Sequence, residues 1–231
     1  GVIFPDLSVF WSENNDTNLI GTTQFVTNGL SREIYVLGDE GVDTDEYDSH
    51  VIAHEWGHYF EDAFSRADSI GGPHSIYSGG MLDPGSILDP TVAFGEGFGN
   101  AFSAMIVDDP FYVDTSNTQQ GSVSISMDLE EDRIGSAVMD STGTLTLDGF
   151  YSEVSVQEIL FDIYDEGASD LDLDGVSLGF GPIYDALVGG QSTTPAFTSI
   201  FSFLYYLKQA NPGVAGEIDA LAVAENFDPG D

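Results

Sequence analysis

The residues of this chain that can do chemistry cluster at positions 54 to 58, His54-Glu55-Trp56-Gly57-His58. His-Glu-x-x-His on a helix is a zinc-binding pattern in which the glutamate serves as general base. At about 100° per residue, the two histidines lie one turn apart on one face, where two imidazoles can share an ion. Glu55 sits on the rim of that face, where its carboxylate can reach an activated water without becoming a ligand. A catalytic zinc takes three protein ligands and keeps a position for water, so a third ligand must come from elsewhere. Residues 61 to 64 are Glu-Asp-Ala-Phe, so the longer motif with a further His after a Gly is absent. The alternative is a glutamate from a second helix, and Phe94-Gly95-Glu96-Gly97-Phe98-Gly99-Asn100 offers it. Glu96 and Asn100 are four apart and share a helix face, so Glu96 can ligate while Asn100 steadies an imidazole through its other ring nitrogen. The bland alternative is an amphipathic helix with incidental histidines, followed by a helix with a surface carboxylate.

Two helices must position this set. The first has apolar Val51, Ile52, Phe60 and Phe64 at helical spacing and Asp48 or Ser49 available as a cap. The second is predicted from about Val92 to Val107. Gly95, Gly97 and Gly99 each cost a helix up to about 1 kcal/mol against alanine, so three at alternate positions predict close approach to another backbone. Ahead of both helices, Leu7 to Trp11 reads as a strand. Thr22–Thr27 and Glu33–Leu37 read as hairpin arms joined through Asn28-Gly29. An edge arm of this kind can take an extended peptide by strand addition. Residues 67 to 90 read as a long loop walling a cleft and carry His74, and 108–148 is irregular apart from a strand near Val123–Met127. Glu153 to Tyr164 is an amphipathic helix with Val156, Ile159, Leu160 and Ile163 inward. Thr194-Pro195 is expected to start another, with Phe197, Ile200, Phe201, Leu204 and Leu207 as its stripe; Asn211-Pro212-Gly213 ends it, and a last helix carries Ile218 and Leu221.

Asp170, Asp172 and Asp174 alternate before Gly175, as in the first half of a calcium loop. Gly181 stands where the closing Glu would fall, leaving Asp165, Glu166 or Asp185 as substitutes. A calcium site and a solvated acidic turn are both open there.

His54-Glu55-Trp56-Gly57-His58, Gly71-Gly72-Pro73 and Gly95-Glu96-Gly97-Phe98-Gly99-Asn100 together resemble the gluzincin zinc metallopeptidases, most of all the fungalysin-like and thermolysin-like branch. The resemblance covers about a quarter of the chain. It implies an α+β, zincin-like domain spanning 1–231. A mixed or antiparallel sheet and active-site helix (1–66) would face a mostly helical lobe (91–231) across a cleft. It also implies Zn2+ on His54, His58 and Glu96, with Asn100 behind a ligand where relatives have Asp. Relatives carry a transition-state-stabilising histidine beyond the glutamate helix, but no histidine follows His74 here. Tyr151, His74 or a backbone amide remain, and Tyr151 is the expected donor because it precedes the Glu153–Tyr164 helix.

Forty acidic residues stand against four basic ones, a formal charge of −36. Such a surface repels nucleic acid and anionic membranes, and no apolar run is long enough to cross a bilayer. Acid-rich surfaces suit high salt, where self-repulsion is screened, so a marine or halophilic bacterial source is expected. There is no cysteine, hence no disulfide framework. The opening Gly1-Val2-Ile3-Phe4-Pro5 reads as a mature or excised domain, and the resemblance places it outside the cell or on its surface. The expected function is zinc-dependent endopeptidase on protein or peptide substrates. The Gly-x-Met-Glu-Asn stretch of gluzincin aminopeptidases is missing. An inactive binding or adhesion module, and a peptidase restricted to glycosylated protein, are the alternatives. Oligomeric state is left open.

Overall fold

A computed structural model describes residues 3–72, 74, 87–130, 148–165 and 175–230, and the backbone alone of 133–134 and 137–138. Strands β2 (Gln24–Asn28) and β3 (Ser31–Val36) form the expected hairpin, with Asn28 opposite Ser31. Its turn is Gly29-Leu30, one residue later than the Asn-Gly signal suggests. Gly29 takes φ +67°, a left-handed backbone that glycine accepts without strain, and Asn28 is left to end the strand. β1 (Ser8–Trp11) runs parallel to β3 on its other side, giving the order β1-β3-β2 with β2 at an edge.

The short pair β4 (Gly38–Asp39) and β5 (Asp43–Thr44) leads through a 3-10 turn at Asp45–Tyr47 into α1 (Ser49–Phe64). Asp48 stands at the cap position of α1 but makes no capping bond. Its carboxylate instead accepts from the Thr115 N–H and hydroxyl, both at 2.9 Å, tying the helix start to a later strand.

Helix α2 (Pro90–Val107) starts two residues earlier than expected because Asp89 accepts from the Thr91 N–H at 2.9 Å and Pro90 takes the first turn. Apolar residues such as Val92, Phe94, Phe98 and Phe102 are buried around α2, as befits a helix inside the core. Beyond it, the region read as irregular holds a four-stranded antiparallel sheet. It consists of β6 (Phe111–Ser116), β7 (Ser122–Asp128), β8 (Arg133–Ile134) and β9 (Ala137–Val138) in that order. The 91–231 region is therefore not simply helical. The β6–β7 connection escapes turn rules because its positive-φ positions are Asn117, Gln119 and Gln120 rather than glycine.

Helix α3 (Glu153–Tyr164) has the predicted bounds, and Val156, Ile159, Leu160 and Ile163 are fully buried. α4 (Phe180–Asp185) continues into a π-helical turn, Ala186–Gln191, before α5 (Ile200–Ala210) and α6 (Ala215–Ala224). Thr194-Pro195 does not start α5. Ser199 does, in a reciprocal cap with Ser202, while the Thr198 N–H is held by Asp68. Phe197 consequently lies outside the helix and 71% exposed, and Phe203 joins Ile200, Leu204 and Leu207 on the buried face. The described residues form a mixed α+β fold with small sheets and six α-helices. Asp170, Asp172 and Asp174, the calcium-loop residues, lie outside the described residues.

Candidate metal centre

The glycines of α1 and α2 set how closely the site can assemble. A Cβ on Gly99 would lie 2.8 Å from the His54 ring, and one on Gly57 would lie 3.2 Å from the Gly99 Cα. On the opposite side of α2, a Cβ on Gly97 would meet Val156 at 2.6 Å and the Glu153 carbonyl at 2.7 Å. Contacts under 3 Å are far inside van der Waals range, so α1 and α3 can close on α2 only because these positions lack side chains. Gly95 carries no such constraint, since its nearest neighbour would be Glu61 at 3.4 Å.

That closeness brings three donor atoms together. His54 Nε2 lies 3.0 Å from His58 Nε2 and 3.2 Å from Glu96 Oε2, and His58 Nε2 lies 3.4 Å from the same carboxylate oxygen. Ligand atoms about 2.0–2.2 Å from one tetrahedral zinc lie about 3.3–3.6 Å from each other, so the set needs only a few tenths of an ångström of spreading to hold that ion. The outer ring nitrogens are also held. His54 Nδ1 donates to Asn100 Oδ1 at 2.7 Å, and the Asn100 amide donates to Gln157 Oε1 at 2.8 Å. This fixes the His54 tautomer with Nε2 free to bind metal. His58 Nδ1 faces Glu61 Oε2 at 4.0 Å.

Electrostatics within the cluster favour charge separation. Burial alone would push the His58 pKa down, but Glu96, Glu61 and Glu55 together raise it well above the ordinary histidine range. Burial likewise opposes ionisation of Glu96, yet His58 and His54 hold it well below the usual carboxylate value. Glu55 is raised, first by burial, with His54 and His58 offsetting part of the effect. Its Oε2 accepts from the Phe25 N–H of β2 at 2.6 Å, so the outward edge of that strand faces the candidate base.

A cleft of about 290 Å³ opens beside the cluster, and His54, Glu55, Glu96 and Asn100 all line it. His74 lines it too, with Nε2 at 3.6 Å from Glu96 and 3.8 Å from Glu153. Tyr151 does not; its hydroxyl is 3.4 Å from the Asp148 carbonyl. The structure thus gathers His54, Glu55, His58, Glu96, Asn100 and His74, and leaves Tyr151 apart. Sequence reasoning missed Tyr112, Glu153, Gln157 and Glu61. Tyr112 comes from an unexpected strand. Glu153, 3% exposed, and Gln157, 0% exposed, are polar residues one turn apart on α3; the sequence carries that spacing but not their burial. Burial raises the Glu153 pKa to about 7, with His74 pulling it back and Glu96 adding to the rise.

No model of a known protein family matches the chain, and no curated protein matches it either.

Proposed function

We propose that this chain is a zinc-dependent peptidase of zincin-like fold, hydrolysing internal peptide bonds of proteins outside the cell. The observation that carries the reading is the triangle of His54 Nε2, His58 Nε2 and Glu96 Oε2, with sides of 3.0 to 3.4 Å and Glu55 beside it in the cleft. Bound there, zinc would lower the pKa of a coordinated water to about 7 and polarise the scissile carbonyl. Glu55 accepts the proton of the attacking water and delivers it to the departing amine, a role for which its raised pKa suits it. Asn100 and Gln157 keep His54 in one tautomer. The outward edge of β2 receives an extended peptide by strand pairing, aligning the scissile bond with Glu55. His74 and Tyr112, both lining the cleft, are the donors that can meet negative charge on the carbonyl oxygen.

Metal analysis and hydrolysis of an unfolded protein such as casein test the reading together. One zinc per chain and measurable cleavage are expected. Glu55→Gln should retain the zinc and lose about 10²–10⁴-fold in turnover. A zinc-loaded protein that cleaves nothing would instead favour a binding module.

A further inference from the structure

The same cleft is lined by Asp45 and Asp114, carboxylates that peptide hydrolysis does not use. Single ligand oxygens of Asp43, Asp45 and Asp114 all lie within 4.8 Å of one another. Asp45 is 3% exposed. Its Oδ2 accepts from the Thr23 hydroxyl, whereas its Oδ1, sealed from solvent, has no donor among the described residues. Asp43 Oδ1 is sealed and without a donor in the same way. Asp114 is oriented by the Ser124 hydroxyl at 2.6 Å. Buried carboxylate oxygens without a donor are costly unless a proton or cation sits between them. Among the described residues no basic side chain supplies that charge: Arg32, Arg66 and Lys208 are paired with Asp62, Asp68 and Asp219.

We infer that Asp43, Asp45 and Asp114 form an oxygen-only site for a calcium ion, distinct from the zinc centre, that clamps the segment entering α1 to strand β6. Oxygens around calcium at about 2.3–2.6 Å lie up to about 5 Å apart, matching the spread seen here. Carboxylates from separate segments, in a loose arrangement, suit calcium's flexible coordination better than the strict octahedron of magnesium. The clamp lies along a seam that hydrogen bonds already mark. Val42 and Thr44 carbonyls accept from the Asn117 N–H at 2.8 Å and the Gln120 amide at 2.6 Å, and Asp48 holds Thr115. Because α1 carries His54, Glu55 and His58, calcium there braces the end of the helix that presents them. The inference does not depend on catalysis, since zinc-loaded protein can bind calcium whether or not it cleaves anything.

The test uses zinc-loaded, calcium-free protein of verified zinc content in molar sodium chloride, which screens nonspecific charge effects. Calcium should raise the melting temperature saturably, by roughly 5–10 °C at a hundredfold excess over its dissociation constant, and equimolar magnesium by much less. The shift should vanish in Asp45→Asn and Asp114→Asn and survive in Asp172→Asn. Should either buried variant fail to fold, Asp43→Asn, the more exposed substitution, must reduce the calcium stoichiometry measured by equilibrium dialysis by one. A calcium shift lost only in Asp172→Asn would move the site to the other acidic run and overturn the assignment. No calcium shift, with Asp45→Asn as stable as the parent, would also overturn it, because the carboxylates would then share a proton.

Discussion

His74 is the residue whose role the tertiary structure changes most. The gluzincin resemblance of the motifs led to the expectation of a donor late in the chain, where Tyr151 stands. Yet the Tyr151 hydroxyl is turned to the Asp148 carbonyl, while the His74 imidazole lies 3.6 Å from Glu96. Tyr112, from β6, reaches the same cleft and is held neutral, first by burial and then by Glu55 and nearby carboxylates, which raise its pKa well above 10. A neutral phenol is a hydrogen-bond donor at any working pH. Losing one preorganised donor typically costs about a hundredfold to a thousandfold in turnover. His74→Ala and Tyr112→Phe are therefore expected to lower kcat at saturating substrate, the more important donor by that factor, with zinc content unchanged. Tyr151→Phe should leave kcat within about twofold, and a large loss there would restore Tyr151 as the donor.

Helix packing is where the odd composition of α2 acquires a reason. Gly99 faces the His54 ring and Gly97 faces α3, so propensity is given up along one helix to let two others approach it. Adding even a methyl group at Gly99 forces α1 away or turns His54 off its tautomer-fixing bond to Asn100. Overpacking of this kind costs about 1–3 kcal/mol. Gly99→Ala should lower the melting temperature by several degrees and weaken zinc binding, read by competition with a chromogenic chelator. Unchanged zinc affinity in a folded Gly99→Ala protein would show that the contact is slack. Gly95→Ala, whose Cβ meets nothing nearer than 3.4 Å, serves as the control and should be close to neutral.

Across the whole molecule, charge is strongly one-sided, at a formal −36. Forty acidic side chains repel one another in dilute buffer, and buried Asp45 stands with half-buried Asp43 and Asp114 in one cluster. Burial raises the Asp45 pKa to about 7, partly opposed by the Thr23 bond and reinforced by Asp43 and Asp114. Asp114 is raised to about 6, again first by burial. In calcium-free protein the folded state then holds protons that the unfolded state has already released. Stability contributed by these groups is present below about pH 4 and is lost as pH rises through about 6 and 7. Melting temperature measured without calcium in molar salt should fall over that window. Asp45→Asn, which cannot ionise, should flatten the upper part of the fall. A parallel fall in the variant would assign the slope to the general surface charge instead.

Much of this protein is legible in one dimension because its determinants are local. His54, Glu55 and His58 are set by helical spacing alone, and α3 by a period of apolar residues bounded by the Ser152 cap. The hairpin's turn was foreseen to within one residue and its arms to within two, since glycine's backbone freedom is a property of that residue. Glu96 and Asn100 could be paired with the histidines because residues four apart share a face of any helix. What only the tertiary structure decided are contacts between segments far apart in the chain. Gln157 stands behind Asn100 from 57 positions away, and Asp48 serves Thr115 rather than its own helix. The start of α5 fell to Ser199 because its side chain and Ser202 satisfy the helix end together, while Phe197 was left in solvent. Tyr112, His74 and the Asp43–Asp45–Asp114 cluster share the same cause. Neither periodicity nor spacing records which loop or strand end folds against which, because that choice is made by burial and hydrogen bonding summed over the whole chain.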